Sequence, residues 1–225
     1  MEIRYHGHAT FELADADTSV LIDPFLTGNP KASIGADALN PSAILVTHGH
    51  GDHVADVVPI ARRTGAPVLA IVELAAEFGE QQGVDARDIN LGGTVSFDWG
   101  WVKMVPAWHT STTPKGTVNT PAGLLVNFKG VVVYHLGDTA LFSDLRLVGK
   151  RAPIDYALMC IGGHYTMDRF DAVDACEMVG AKTVIPCHYN TFPAIEADAE
   201  AFKADVESAT GSAVVVLAPG ESHSA

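Results

Sequence analysis

Five short apolar runs in this chain end on a histidine or an acid, and that pattern constrains the fold more than any other feature. Ala43-Ile44-Leu45-Val46 leads into Thr47-His48-Gly49-His50-Gly51-Asp52-His53. Met104-Val105-Pro106-Ala107-Trp108 leads into His109, and Val131-Val132-Val133-Tyr134 into His135, Gly137 and Asp138. Ala157-Leu158-Met159-Cys160 leads to Gly162, Gly163 and His164, and Val184-Ile185-Pro186-Cys187 to His188. Short apolar, β-branched runs bounded by turn residues read as strands. In open α/β architectures, ligands bind beyond the carboxyl ends of strands. One rim is therefore expected to collect imidazoles and carboxylates from five strands.

Around these runs, strand and helix patterns alternate. Ile3 to His6, Thr10 to Leu13 and Val20 to Ile22 read as an opening meander. Helices are expected at His53 to Arg63, stopped by Gly65 and Pro67, and at Glu73 to Gln82, stopped by Gly83. Further strands are expected at Val68 to Val72, Thr94 to Phe97 and Val102 to Ala107, with a hairpin of Leu124 to Phe128 and Val131 to His135 around Lys129-Gly130. Leu141 to Val148, Arg169 to Val179 and Ile195 to Ser208 read as helices, and Tyr156 to Ile161, Thr183 to Cys187 and Ala213 to Leu217 as strands. No Pro/Gly/Ser linker divides the 225 residues, so a single domain over 1–225 is expected, built from two sheets with helices outside.

Composition narrows the partners. There are 14 Lys and Arg against 27 Asp and Glu, a net charge of −13, which repels phosphate backbones and makes nucleic acid a poor partner. A small-molecule substrate is expected instead. No apolar run approaches the roughly 18 residues of a membrane helix. The three cysteines form no Cys-x-x-Cys, and the start, with Glu2 and Arg4, lacks a secretory apolar run, so the cytoplasm is the expected compartment. Composition leaves assembly into a homo-oligomer open.

The ten histidines carry the chemistry. Residues i and i+2 of an extended segment point the same way, so His48 and His50 can grip one cation. Asp52 and His53 then open a helix that turns them toward a neighbouring point. Three histidines on one ion leave a position for water, as in catalytic zinc sites. A second cation within roughly 4 Å would make a two-metal site whose bridging hydroxide is a nucleophile at neutral pH. Asp138, with two oxygens, is the natural bridge. His109 would complete the first site and His188 the second.

His48, His50, Asp52 and His53 match the His-x-His-x-Asp-His marker of the metallo-β-lactamase superfamily, which the sequence resembles. Its closer likeness is to metal-dependent hydrolases allied to the ascorbate-6-phosphate lactonase. That likeness rests on Gly7-His8-Ala9, Ile22-Asp23-Pro24-Phe25-Leu26-Thr27-Gly28-Asn29-Pro30 and Val46 to His53. It continues through Tyr134-His135-Leu136-Gly137-Asp138-Thr139 and Pro186-Cys187-His188-Tyr189-Asn190-Thr191-Phe192-Pro193. The resemblance implies a four-layer αββα sandwich of two similar halves, of α+β class with mixed sheets. It implies two divalent ions, His48, His50 and His109 around one, Asp52, His53 and His188 around the other, and Asp138 between. Zinc is the first expectation for the ions; manganese, iron and nickel suit the same donors. Relatives often carry Gly-Asp-Asn-Phe-Thr-Met where this chain has Gly162-Gly163-His164-Tyr165-Thr166-Met167. The long substrate-binding elaborations of the β-lactamases are also missing.

The expected activity is hydrolysis of a small ester, lactone or phosphoester, with Asp52 orienting the water and His164 protonating the leaving group. A di-iron oxidoreductase on the same scaffold is the rival, although no flavin or iron–sulfur motif accompanies it; a non-catalytic metal- or ligand-binding module is the other. Asp23 is read as a partner for a ligating histidine or as a simple Asp-Pro turn. His6, His135 and His223 are expected to be structural, Cys187 to be buried filler, and Trp99, Trp101 and Trp108 to lie in the core. Leu26 to Pro30 and Thr110 to Pro121 are read as substrate-contacting loops.

Overall fold

The computed structural model describes residues 1–150 and 153–225. The first strands are β1 (Glu2–Gly7), β2 (Thr10–Ala14), β3 (Ser19–Ile22), β4 (Ala43–Leu45), β5 (Val68–Ile71) and β6 (Ala86–Ile89). The second group is β7 (Thr94–Phe97), β8 (Gly100–Pro106), β9 (Ala122–Phe128), β10 (Val131–His135), β11 (Tyr156–Cys160), β12 (Thr183–Cys187) and β13 (Ala213–Val214). A last strand, β14 (Ser222–Ser224), returns to pair with β1, Glu2 opposite Ser224. One seven-stranded sheet runs β14-β1-β2-β3-β4-β5-β6 and the other β13-β12-β11-β10-β9-β8-β7. Each is antiparallel on one side and parallel on the other, so the halves repeat one design. This is the αββα sandwich expected from the sequence.

The inner faces interlock through Ile3, Phe11, Leu13 and Leu21 of one sheet and Val102, Met104, Val126 and Phe128 of the other. Fully burying one such side chain is worth about 1.5–3 kcal/mol, so this layer dominates folding. Outside the second sheet lie α4 (Leu145–Val148), α5 (Arg169–Val179) and α6 (Ala199–Ala209), whose Leu145, Ala172, Cys176, Phe202 and Val206 cover Tyr134, Ala157 and Met159. On the first sheet's side lie α1 (Gly51–Val54), α2 (Val57–Thr64) and α3 (Val72–Ala76).

The helix expected at 53–63 is two pieces. A continuous helix would set the Pro59 ring against the carbonyl of Ala55, whereas a restart at Val57 puts Pro59 in a first turn that needs no N–H. The restart also frees Asp56, whose buried carboxylate accepts from the amides of Leu26 and Thr27 at 2.7 and 2.8 Å and so pins that loop. Gly65 and Gly180 stop α2 and α5 in left-handed caps, as read from the sequence. Asp168 and Asp198 cap α5 and α6, which moves the start of α6 past the expected Ile195. The helix expected at 141–148 shrinks to α4, and that expected at 73–82 finishes in a π turn over Glu77–Gln81. β6 and β14 are short edge strands with exposed residues and gave no apolar signal.

One acid on the first sheet reports on folding. Glu12 is buried and accepts from Ser19 Oγ, from Arg4 at 3.2 Å and from His6 at 3.3 Å. Burial opposes its charge, but the His6, Ser19 and Arg4 contacts outweigh that and bring its pKa down to about 2. A depressed carboxyl stabilises the fold above its unfolded pKa and loses that contribution as pH falls through the folded value. Glu12→Gln should therefore flatten the fall in stability between the ordinary 4.5 and about 2, read from denaturation midpoints across that window.

Candidate metal centre

The carboxyl ends of β4, β8, β10 and β12 converge, and the β1–β2 turn joins them. Donor atoms of His48, His50, His109 and Asp138 lie within 4.8 Å of one another, and so do those of His8, Asp52, His53 and His188. Asp138 stands between the groups. Its carboxylate is 3.8 Å from His48 Nε2, 3.6 Å from His109 Nε2, 3.3 Å from His53 Nε2 and 3.1 Å from His188 Nε2. All seven metal-ligand candidates read from the sequence are thus brought together. His8 is the addition.

Asp23, completely buried, sets the orientation of two of these rings. It accepts from the Thr47 amide at 2.8 Å, from Thr47 Oγ1 at 2.5 Å and from His53 Nδ1 at 2.8 Å. With its own proton committed, Thr47 Oγ1 accepts from His48 Nδ1 at 3.0 Å. Both histidines then carry hydrogen on Nδ1 and turn a bare Nε2 lone pair inward. The turn reading of Asp23 gives way to the partner reading.

The segment carrying His48 and His50 is also held from below. The Gly49 amide donates to Ser111 Oγ at 2.8 Å and Asn119 Oδ1 at 3.1 Å. A Cβ on Gly49 would sit 2.6 Å from Asn119 Nδ2 and 2.8 Å from Thr113 Cγ2, so any larger residue would push these supporting side chains aside. Thr113 Oγ1 donates at 2.7 Å to the buried Glu77, which ties the 110–121 loop to the π turn after α3. That loop therefore supports the site, and of its residues Thr110 reaches the cavity described below.

Electrostatics suit a cation. Burial holds His48 well below the usual histidine range and also lowers His50 and His109, so these rings offer lone pairs at neutral pH. Burial opposes charge on Asp138, yet His188 and His53 keep its carboxyl well below the usual range. Asp52 is likewise depressed against burial, first by its hydrogen bond to His8. Burial works against charge on His53 as well, but Asp138 and Asp23 pull it well above the usual range, which marks its position as one favouring positive charge. His53 Nε2, Asp138 Oδ1 and His188 Nε2 are buried with no hydrogen-bond partner. Unpartnered ring nitrogens and carboxylate oxygens that face one another, beside the neutral rings of His48, His50 and His109 and two ionised acids, fit divalent metal ions.

A cavity of about 270 Å³ opens onto this cluster, lined by His50, Asp52, His109, Thr110, Asp138, Tyr165 and His188. Tyr165, not His164, lines it. His164 is exposed in a left-handed turn, its ring edge-on to Tyr165 at 4.4 Å. Residues 26–30 stay outside it, and Leu26 and Asn29 are buried instead. Trp99 is buried as expected, but Trp108 is 68% exposed beside His109, because the chain leaves the sheet after Pro106. His135 is structural, bonded to Ala9 O at 2.9 Å, and Cys187 is buried. A larger concavity of about 620 Å³, between Thr18, Ser42, Arg87, Trp99 and Lys129, lies at the opposite strand ends.

Five of the six non-glycine residues with positive φ among those described, His8, Asp23, His164, His188 and Asn190, cluster at this rim; the sixth, Lys129, is in a hairpin turn. Strained backbone concentrates where side chains must be held for function. Residues 2–188 match the family model described as the beta-lactamase superfamily domain. The chain belongs to that superfamily. A UPF0173 metal-dependent hydrolase from Thermus thermophilus is 46% identical over 224 residues, 98% of this chain and 97% of the relative. Another from Oenococcus oeni is 45% identical over 219 residues, 94% and 95% of the two chains. The structure of Igni18, a metallo hydrolase from Ignicoccus hospitalis, superposes with a TM-score of 0.90 at 34% identity, covering 99% of this chain and 97% of that one. Within the superfamily this chain is a metal-dependent hydrolase. Among the described residues no helix is long and apolar enough to cross a membrane.

Proposed function

We propose that this hydrolase acts on a small ester or lactone, or on a phosphoester, at a centre of two divalent ions with zinc as the first choice. The observation that carries this reading is the pair of donor groups with the Asp138 carboxylate between them, at the mouth of one cavity. Bound divalent cations there supply a Lewis acid for the oxygen of the bond under attack and lower the pKa of water toward neutrality. His48, His50 and His109 would hold the first cation and Asp52, His53 and His188 the second, with Asp138 available to both. Asp52, which lines the cavity, would orient the attacking water. Tyr165 lines the cavity and offers its hydroxyl to the leaving group, while His164 sits one residue further out on the rim. Among the described residues the cavity lining holds no lysine or arginine, which favours a neutral carbonyl compound over an anionic phosphoester. The β1–β2 turn and the end of β12 both reach the site, which supports one domain over 1–225 acting as a unit. Three buried free thiols suit the cytoplasm.

The test is a metal-dependence screen on protein purified without a metal-affinity tag. Hydrolysis of a lactone or ester is expected to disappear on chelation and return with zinc, manganese, iron or nickel. Full activity in metal-free His48→Ala protein would defeat the proposal, and bound iron with redox turnover would replace it by the di-iron reading.

A further inference from the structure

His8 lies within the second donor group but is given no cation to hold in the proposed function, and few side chains here are so completely held. It sits in a left-handed turn (φ 58) between β1 and β2 and is 1% exposed. Its carbonyl accepts from the His188 amide at 2.7 Å and from Tyr5 Oη at 3.1 Å. Its ring lies 4.1 Å from that of His188 and meets Phe25 and Phe192 edge-on at 5.6 and 5.7 Å. Both ring nitrogens are engaged. Nε2 is 3.0 Å from Asp52 Oδ2, and Nδ1 is 2.9 Å from Thr191 Oγ1.

The chemistry of the partners fixes the tautomer. An ionised carboxylate only accepts, so the hydrogen is on Nε2 and points at Asp52. Nδ1 is then an acceptor, and the Thr191 hydroxyl donates to it. A nitrogen that donates to a carboxylate has no lone pair left for a cation, although His8 stands close enough to be mistaken for a ligand. Asp52 itself is at the first turn of α1 and is only partly buried, so packing alone does not hold its carboxylate.

We infer that His8 is a positioning residue of the second cation site: its Nε2–H fixes the Asp52 carboxylate facing His53 and His188, and Thr191 holds it in that tautomer. The device joins segments 44 and 183 residues away from His8, one from each sheet's rim. It parallels the Asp23–His53 contact with the roles reversed, since here a histidine orients a ligating acid. Contacts of this kind typically change metal affinity about 10- to 100-fold when removed.

The inference rests on the two-cation reading, and a competition titration separates the two. Zinc(II) is titrated against a chromophoric chelator into the full chain, with folding checked by the thermal melt of the metal-free protein. Wild type is expected to bind two ions; binding of fewer overturns the two-cation reading and this inference with it. In His8→Ala, one dissociation constant should rise about 10- to 100-fold while the other is unchanged. His8→Gln, which can place an amide N–H near the Nε2 position, should recover much of the loss. Thr191→Val keeps the shape and removes the hydroxyl, so it remains informative if His8→Ala does not fold; it should weaken the same ion by a smaller factor. Wild-type affinity for both ions in folded His8→Ala or Thr191→Val overturns the inference. A His8→Gln protein as impaired as His8→Ala overturns it in favour of direct ligation by His8.

Discussion

Asp138→Ala is expected to remove hydrolysis almost entirely, by about 1,000-fold or more, equivalent to roughly 4 kcal/mol of barrier. Four histidine nitrogens face this one carboxylate at 3.1 to 3.8 Å, so its loss should weaken both proposed ion sites together. Metal content by elemental analysis should fall with turnover. Stability of the metal-free protein should fall far less, because Asp138 is held mainly by histidines of the site and not by the core. Asp138→Asn is the sharper variant. It keeps the shape but loses the charge, so retention of both ions and wild-type turnover in it would refute the bridging role.

The second large effect is on the fold as well as the site. Asp23→Ala removes an acceptor for Thr47 N–H, Thr47 O–H and His53 Nδ1–H, all buried. Each orphaned buried donor costs about 1–3 kcal/mol, so a total near 3 kcal/mol or more is expected in urea denaturation of the metal-free protein. The same change frees His48 and His53 to adopt the wrong tautomer, so zinc affinity should drop about 10- to 100-fold. Asp23→Asn retains one acceptor oxygen and should recover more of the stability than of the affinity. An Asp23→Ala protein as stable and as metal-replete as wild type would show that the packing around Thr47 suffices.

These two residues differ in how far the sequence exposed them. Asp138 was legible because it follows a buried β-branched run with a glycine between, a local pattern that needs no tertiary information. His109 and His188 were legible in the same way. Asp23 read first as a turn and only second as a histidine partner, since an Asp-Pro pair serves both. Only the parallel pairing of β3 with β4, which brings Asp23 beside Thr47, separated the two readings. The glycine stops of α2 and α5 were readable because a left-handed cap has a chemical signature. The break before Val57 was not, because it answers to Pro59 and to a loop thirty residues earlier in sequence.

The choice between His164 and Tyr165 shows the limit most plainly. Both lie in one glycine-flanked loop, and adjacent residues point in different directions according to backbone angles that sequence does not reveal. The left-handed turn at His164 turns the histidine to solvent and leaves Tyr165 on the cavity.

By itself, then, the sequence determined which strands end on candidate metal donors, since strand periodicity and the His48–His53 spacing are local properties of the chain, and the family resemblance those motifs carry implied the αββα sandwich. The tertiary structure decided what holds those donors: Asp23 under His48 and His53, His8 and Thr191 behind Asp52, Ser111 and Asn119 beneath Gly49. Such contacts are single hydrogen bonds between buried groups on separate segments. They impose no repeat on the residues around them, so nothing in the linear order announces them until the two sheets close.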